Sequence, residues 1–139
     1  MDCLICAKHF QNNNILYQDA HWVLTHGPVQ SQLLGYVYLE PKRHVENWFE
    51  FTDGELRELG PLIKKIEMAI QSLIPIERLY SVTISEAVRH IHLHLIPRYE
   101  GISLKGLSLI EQATQQKSQS KEYSETDFQQ FIKKLKEQL

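Results

Sequence analysis

Up to residue 41 the apolar positions come in short runs separated by turn residues. Ile15 to Tyr17 and Trp22 to Thr25 flank the polar turn Gln18-Asp19-Ala20, and Tyr36 to Leu39 follows Gly35 and stops at Pro41, so three short strands are expected. From residue 52 the period changes. Thr52-Asp53-Gly54-Glu55 has the Thr-x-x-Glu form whose side chains satisfy the first free amides of a helix, and Leu56, Leu59, Ile63, Ile66, Ile70 and Leu73 follow at helical spacing. The pattern predicts a long helix to about Ile74, bent or divided at Pro61, whose ring clashes with the preceding turn. Leu79 to Ser85 and Arg89 to Ile96 alternate and are rich in β-branched residues, with only Glu86-Ala87-Val88 between them, which reads as an antiparallel hairpin. Residues 111–123 are polar and are expected to form a loop. Phe128, Phe131, Ile132, Leu135 and Leu139 then make an apolar stripe on a terminal helix capped by Ser124 or Thr126. The expected class is α+β, an antiparallel sheet of about five strands with a main helix and a C-terminal helix on one side.

Composition narrows the picture. The 139 residues suit a single domain, with residues 1–100 as its core, 111–123 as the polar loop and 124–139 as the last helix. A net charge of −2 offers no basic surface to a nucleic-acid backbone, and no window approaches the roughly 18 apolar residues of a membrane helix. A cytoplasmic protein that contacts neither nucleic acid nor membrane is expected. Cys3 and Cys6 are too close for an ordinary structural disulfide, and a reducing cytosol would keep them as thiols.

The candidate chemistry is concentrated in His90-Ile91-His92-Leu93-His94-Leu95-Ile96-Pro97. On a strand the three histidines face one way, and Ile91, Leu93 and Leu95 face the other, into a core. A neutral imidazole can attack phosphorus and split one hard displacement into two easier ones. Three imidazoles can also ligate a metal, although alternate positions of one strand need help from other elements to close a tetrahedron. Cys3-x-x-Cys6 offers two ligands to zinc, which prefers four, and His9 is a local candidate for a third.

The His-x-His-x-His run, followed by two apolar residues and Pro97-Arg98, resembles the signature of the histidine triad family. Cys3-Leu4-Ile5-Cys6 is similar to the N-terminal Cys-x-x-Cys of its zinc-containing bacterial members, and Leu39-Glu40-Pro41-Lys42-Arg43-His44 to their apolar strand ending in Pro-Lys-x-His. The likeness covers most of residues 1–100. It implies a homodimer that hydrolyses or transfers nucleotidyl groups, from dinucleoside polyphosphates or nucleotide phosphoramidates, through a covalent nucleotidyl-histidine. It also implies His92 as nucleophile, His94 as donor to the leaving group and His90 as the first triad member. Cys3, Cys6, His44 and His90 would hold a structural zinc, and Trp22, Leu24, His26 and Pro28 would line a nucleoside pocket.

Two departures stand out. Tyr36 follows Gly35 where many members carry a histidine, so that supporting role is absent or passes to the Tyr36 hydroxyl. Ser85-Glu86-Ala87-Val88-Arg89 stands where many members have Gly-Gln-Ser or Gly-Gln-Thr, whose side chains hold phosphate oxygens. Ser85 is a candidate replacement, whereas Arg89 should face away from the histidines. Two other classes stay open: a nucleotide-binding module with a slow or inactive triad, and a zinc-stabilised interaction protein that uses residues 111–123 and the last helix.

Overall fold

The computed structural model describes residues 3–11, 15–118 and 121–139, with the side chains of residues 10 and 11 excepted. The elements are α1 (Leu4–Gln11), β1 (Ile15–Gln18), β2 (Trp22–His26), β3 (Val37–Pro41), α2 (Asp53–Leu73), β4 (Ile76–Thr83), β5 (Leu93–Tyr99), α3 (Leu107–Gln115) and α4 (Glu125–Gln138). The strands form one antiparallel sheet in the order β1-β2-β3-β5-β4. None of the helices among the described residues is long and apolar enough to cross a membrane.

Strand alternation gives the sheet two apolar faces. Leu24, Leu39, Leu93 and Leu95 meet Ile66 and Ile70 of α2 and Phe128 and Leu135 of α4 in the main core. Each such side chain contributes about 1.5–3 kcal/mol on burial. Tyr36, Ile96, Leu109 and Ala113 form a smaller cluster on the opposite face, under α3. The helices therefore do not all lie on one side as the element order suggested. Both long helices start as the sequence requires: Thr52 and Glu55 cap α2 reciprocally, and Ser124 and Asp127 cap α4. α2 runs through Pro61 without division. Pro61 and Arg57 lie on its solvent side, where water can satisfy the Arg57 carbonyl that a proline cannot bond.

One element is new, and two further expectations are corrected. α1 has no counterpart in the sequence pattern; the buried Glu40 of β3 anchors it, pairing with Lys8 Nζ at 2.8 Å and His9 Nε2 at 3.1 Å. The first five residues of the expected loop 111–123 are helical, because Leu109 and Ala113 sit one turn apart and bury the same face of α3; residues 119 and 120 lie outside the described residues. The β4–β5 hairpin is not joined by three residues. Its ladder closes at Thr83 and Leu93, leaving 84–92 as the connection. That segment bonds outside the ladder: the Ile91 amide donates to the Val45 carbonyl at 2.7 Å, and, within the segment, the His92 amide donates to Ser85 Oγ at 3.2 Å.

Candidate active site and metal centre

Cys3, Cys6, His44 and His90 converge where the start of α1 meets the ends of β3 and the 84–92 segment, with their ligand atoms all within 4.8 Å of one another. Nδ1 of His90 lies 3.5 Å from both sulfur atoms, and Nδ1 of His44 lies 3.6 Å from Cys6 Sγ. A tetrahedral zinc site separates its sulfur and nitrogen ligand atoms by about 3.6 Å, so the donor set fits a metal ion in both chemistry and spacing. Both imidazoles are oriented for it. His90 Nε2 donates to the Pro41 carbonyl at 2.9 Å, and His44 Nε2 lies 3.1 Å from a Glu46 carboxylate oxygen, which leaves each Nδ1 to face the thiols. Burial opposes charge on Cys3, but the Cys6 amide and the Cys6 and His44 side chains outweigh it and hold this thiol below its ordinary pKa. Burial and the neighbouring Cys3 sulfur push Cys6 up. His9 stays out of the group, bonded to Glu40 with its ring edge-on to His90.

The remaining two histidines form a second group. His94 begins the accessible face of β5, and His92 precedes the strand, their ring centroids 5.1 Å apart. His92 Nδ1 lies 2.7 Å from the His90 carbonyl. A carbonyl only accepts, so Nδ1 carries the proton and Nε2 keeps its lone pair. His90 thus joins the two groups, its ring among the cysteines and its carbonyl under His92. His94 Nδ1 lies 2.6 Å from the Tyr36 hydroxyl, and burial lowers the His94 pKa to about 4, with the nearby His92 adding to the shift. Ser85 is held in a left-handed conformation, its Oγ taken up by the His92 amide. Arg89 pairs on the surface with Glu46 and Glu86.

The residues offered for a nucleoside pocket separate. Trp22 and Leu24 are fully buried core residues; the indole stacks on Phe51 and donates to the Glu55 carbonyl at 3.1 Å, so neither presents a surface to a ligand. Pro28 and His26 do line a cavity of about 480 Å³, with Lys8, Thr25, Tyr38 and Gln129. His92 and His94 do not line this cavity, but Tyr38, one of its walls, packs edge-on against His94 at 5.3 Å. Both His26 nitrogens are committed to backbone, Nδ1 donating to the Gly27 carbonyl and Nε2 accepting from the Gly35 amide.

Burial lowers the His26 pKa to about 4. An unfolded chain takes up that proton near 6.5, so the stabilising contribution is whole above pH 6.5 and is lost as the pH falls toward 4, by up to about 3 kcal/mol. Imidazole resonances followed by NMR should show His26 still neutral at pH 5. Protonation near 6.5 would mean that the two backbone bonds do not hold.

The HIT domain family matches residues 9–101. This chain belongs to the HIT domain family. A Bacillus subtilis protein named "Protein hit" is 30% identical over 102 residues, covering 70% of this chain and 69% of its own. The fold is shared with a hypothetical histidine triad nucleotide-binding protein from Sulfolobus tokodaii, at 22% identity and a TM-score of 0.70, over 98% of this chain and 91% of that one. It is shared also with a Zn-bound histidine triad family protein from Mycobacterium smegmatis, at 17% identity and a TM-score of 0.70, over 99% and 93% of the two chains.

Within this HIT domain, sequence reasoning missed Tyr38, Lys8 and Glu40. Positions 36, 38 and 40 share one face of β3, and Tyr38 lies directly opposite His94 in the ladder. Alternation along β3 would have put Tyr38 and Glu40 beside the histidines had the strand pairing been known.

Proposed function

We propose that this HIT domain binds nucleoside phosphates at His92 and His94 and transfers their nucleotidyl group to water through a covalent link to His92. The reading is carried by the bond from His92 Nδ1 to the His90 carbonyl, which leaves an unprotonated Nε2 aimed away from the backbone. Attack by Nε2 forms a P–N bond as the bond to the leaving group breaks, and water then breaks the P–N bond. Dinucleoside polyphosphates and nucleotide phosphoramidates are the substrate classes. The cavity lined by Pro28 and Tyr38, whose ring touches His94, supports a nucleoside site one residue removed from the triad. The Ser85 hydroxyl, within one bond of His92, is the candidate for the missing phosphate contact.

The metal is zinc, held by Cys3, Cys6, His44 and His90. The close approach of these four donors supports the assignment, as does the Zn-bound state of the Mycobacterium smegmatis protein. Its role is structural: it ties α1 to the sheet and fixes the His90 backbone on which His92 rests. Thiolate ligation suits a reducing cytoplasm. The open edge of β4, paired only with β5 among the described residues, leaves room for a homodimer.

A second reading, nucleotide binding with slow or absent turnover, has its own support. The chain lacks the Gly-Gln-Ser or Gly-Gln-Thr segment, and the Sulfolobus tokodaii protein is named for nucleotide binding, which speaks to affinity rather than to reaction. Equilibrium binding and turnover measured on one panel of nucleoside mono-, di- and polyphosphates and phosphoramidates separate the readings. Micromolar affinity with turnover is expected. Affinity alone selects the binding module. Neither one selects a zinc-stabilised interaction protein and removes both nucleotide readings.

A further inference from the structure

Tyr36 is fully buried, directly before β3, with its ring stacked on His94 at 5.9 Å and its edge toward Tyr38 at 5.1 Å. Its hydroxyl lies 2.6 Å from His94 Nδ1. Burial holds this phenol far above its ordinary pKa, so it keeps its proton, and a buried hydroxyl proton needs an acceptor. The Tyr38 side chain also interacts with this hydroxyl, but the unprotonated nitrogen of a neutral imidazole is the stronger acceptor, and Nδ1 of His94 lies at 2.6 Å.

We propose that Tyr36 is a positioning residue whose hydroxyl donates to Nδ1 of His94 and so fixes the Nε2–H tautomer, making His94 a hydrogen-bond donor rather than a proton donor and favouring substrates whose leaving group departs as a phosphate or polyphosphate anion. This rests on the nucleotidyl-transfer reading above. With a phosphoanhydride, His92 Nε2 attacks phosphorus, the P–N bond forms, and the P–O bond breaks with its electron pair on the bridging oxygen. That oxygen leaves as part of an anionic phosphate, for which the Nε2–H of His94 supplies a hydrogen bond and no proton. Water then attacks phosphorus, the pair of the P–N bond returns to His92, one water proton stays on the nucleotide oxygen or its solvent equivalent, and the other goes to solvent. With a phosphoramidate the departing nitrogen must gain a proton to leave as an amine. Giving up Nε2–H would draw the Tyr36 proton onto Nδ1 and leave a buried phenolate, which burial opposes. The low His94 pKa, near 4, agrees with a ring that is neutral at pH 7.

The test compares wild type with Tyr36→Phe, which keeps the ring and removes the hydroxyl. Nitrogen-15 NMR of the His94 ring should show the Nε2–H tautomer in the wild type and a mixture in the variant. Wild type should turn over a dinucleoside polyphosphate at least about 10-fold faster than a nucleotide phosphoramidate. Tyr36→Phe should slow the polyphosphate by about 10- to 100-fold in kcat, as for loss of a group that orients a reactive histidine, with the melting temperature close to wild type. An Nδ1–H tautomer in the wild type, an unchanged tautomer in the variant, or faster turnover of the phosphoramidate would each overturn the proposal. If no substrate is turned over by either protein, the transfer reading and the leaving-group preference both fall, and the tautomer measurement still decides the role of Tyr36.

Discussion

Replacing His92 with alanine will abolish the covalent intermediate and lower turnover by at least about 10³-fold, since loss of a nucleophile removes the reaction path itself. His92 is only half-buried, and its ring is bonded to one backbone carbonyl, so its removal leaves the core and the cysteine-histidine group intact. Metal content and melting temperature should therefore stay close to wild type. The measurement uses a nucleotide labelled on the α-phosphoryl group, a rapid quench that avoids acid because the P–N bond is acid-labile, and the intact mass of the protein. Wild type should gain the mass of one nucleotidyl group, and His92→Ala none. Full activity in His92→Ala would end the covalent mechanism and require direct attack by water. An unchanged adduct would move the nucleophile to another residue.

Removal of the metal should cost several kcal/mol of stability. An ion that binds only the folded chain and is present at 1,000 times its Kd stabilises it by about 4 kcal/mol, which for a domain of this size is a fall in melting temperature of about 10–15 °C. The effect is large because the four ligands come from positions 3, 6, 44 and 90, so the ion joins segments far apart in the chain. Protein purified without added metal should contain one zinc per chain, and Cys6→Ser should lower both the zinc content and the melting temperature. Turnover should fall as well, since the His90 carbonyl that holds His92 belongs to a residue whose ring is a ligand. A well-folded preparation with no metal, or Cys6→Ser with a full equivalent, would overturn the assignment.

Much of this was legible along the chain. The Thr52–Glu55 capping box, the cap of the last helix narrowed to Ser124 or Thr126, the helical spacing after Thr52, the stripe on the last helix and the Cys-x-x-Cys all depend on residues within a few positions of one another, where local geometry leaves few alternatives. The apolar side of the triad segment was equally plain: Ile91, Leu93 and Leu95 are buried in the main core as alternation requires.

What the sequence by itself determined is therefore the α+β class, the main elements and which residue types are the candidates for chemistry, because these follow from period and residue type. The tertiary structure alone decided how those residues are shared. His90 and His92 read as members of one strand face, yet the backbone leaves β4 at Thr83 to bond with Val45, and His90 turns its ring to cysteines 84 and 87 positions away. Trp22 and Leu24 read as candidate pocket walls, but the sheet places both in the core, and the cavity forms instead where Lys8, Tyr38 and Gln129 meet from three separate elements. α1 stands where it does because the buried carboxylate of Glu40 needs partners, and takes the Lys8 ammonium and the ring of His9, 31 positions away. Such pairings are set by the need to satisfy buried polar groups between distant segments, a requirement that appears only once the sheet order brings those segments together.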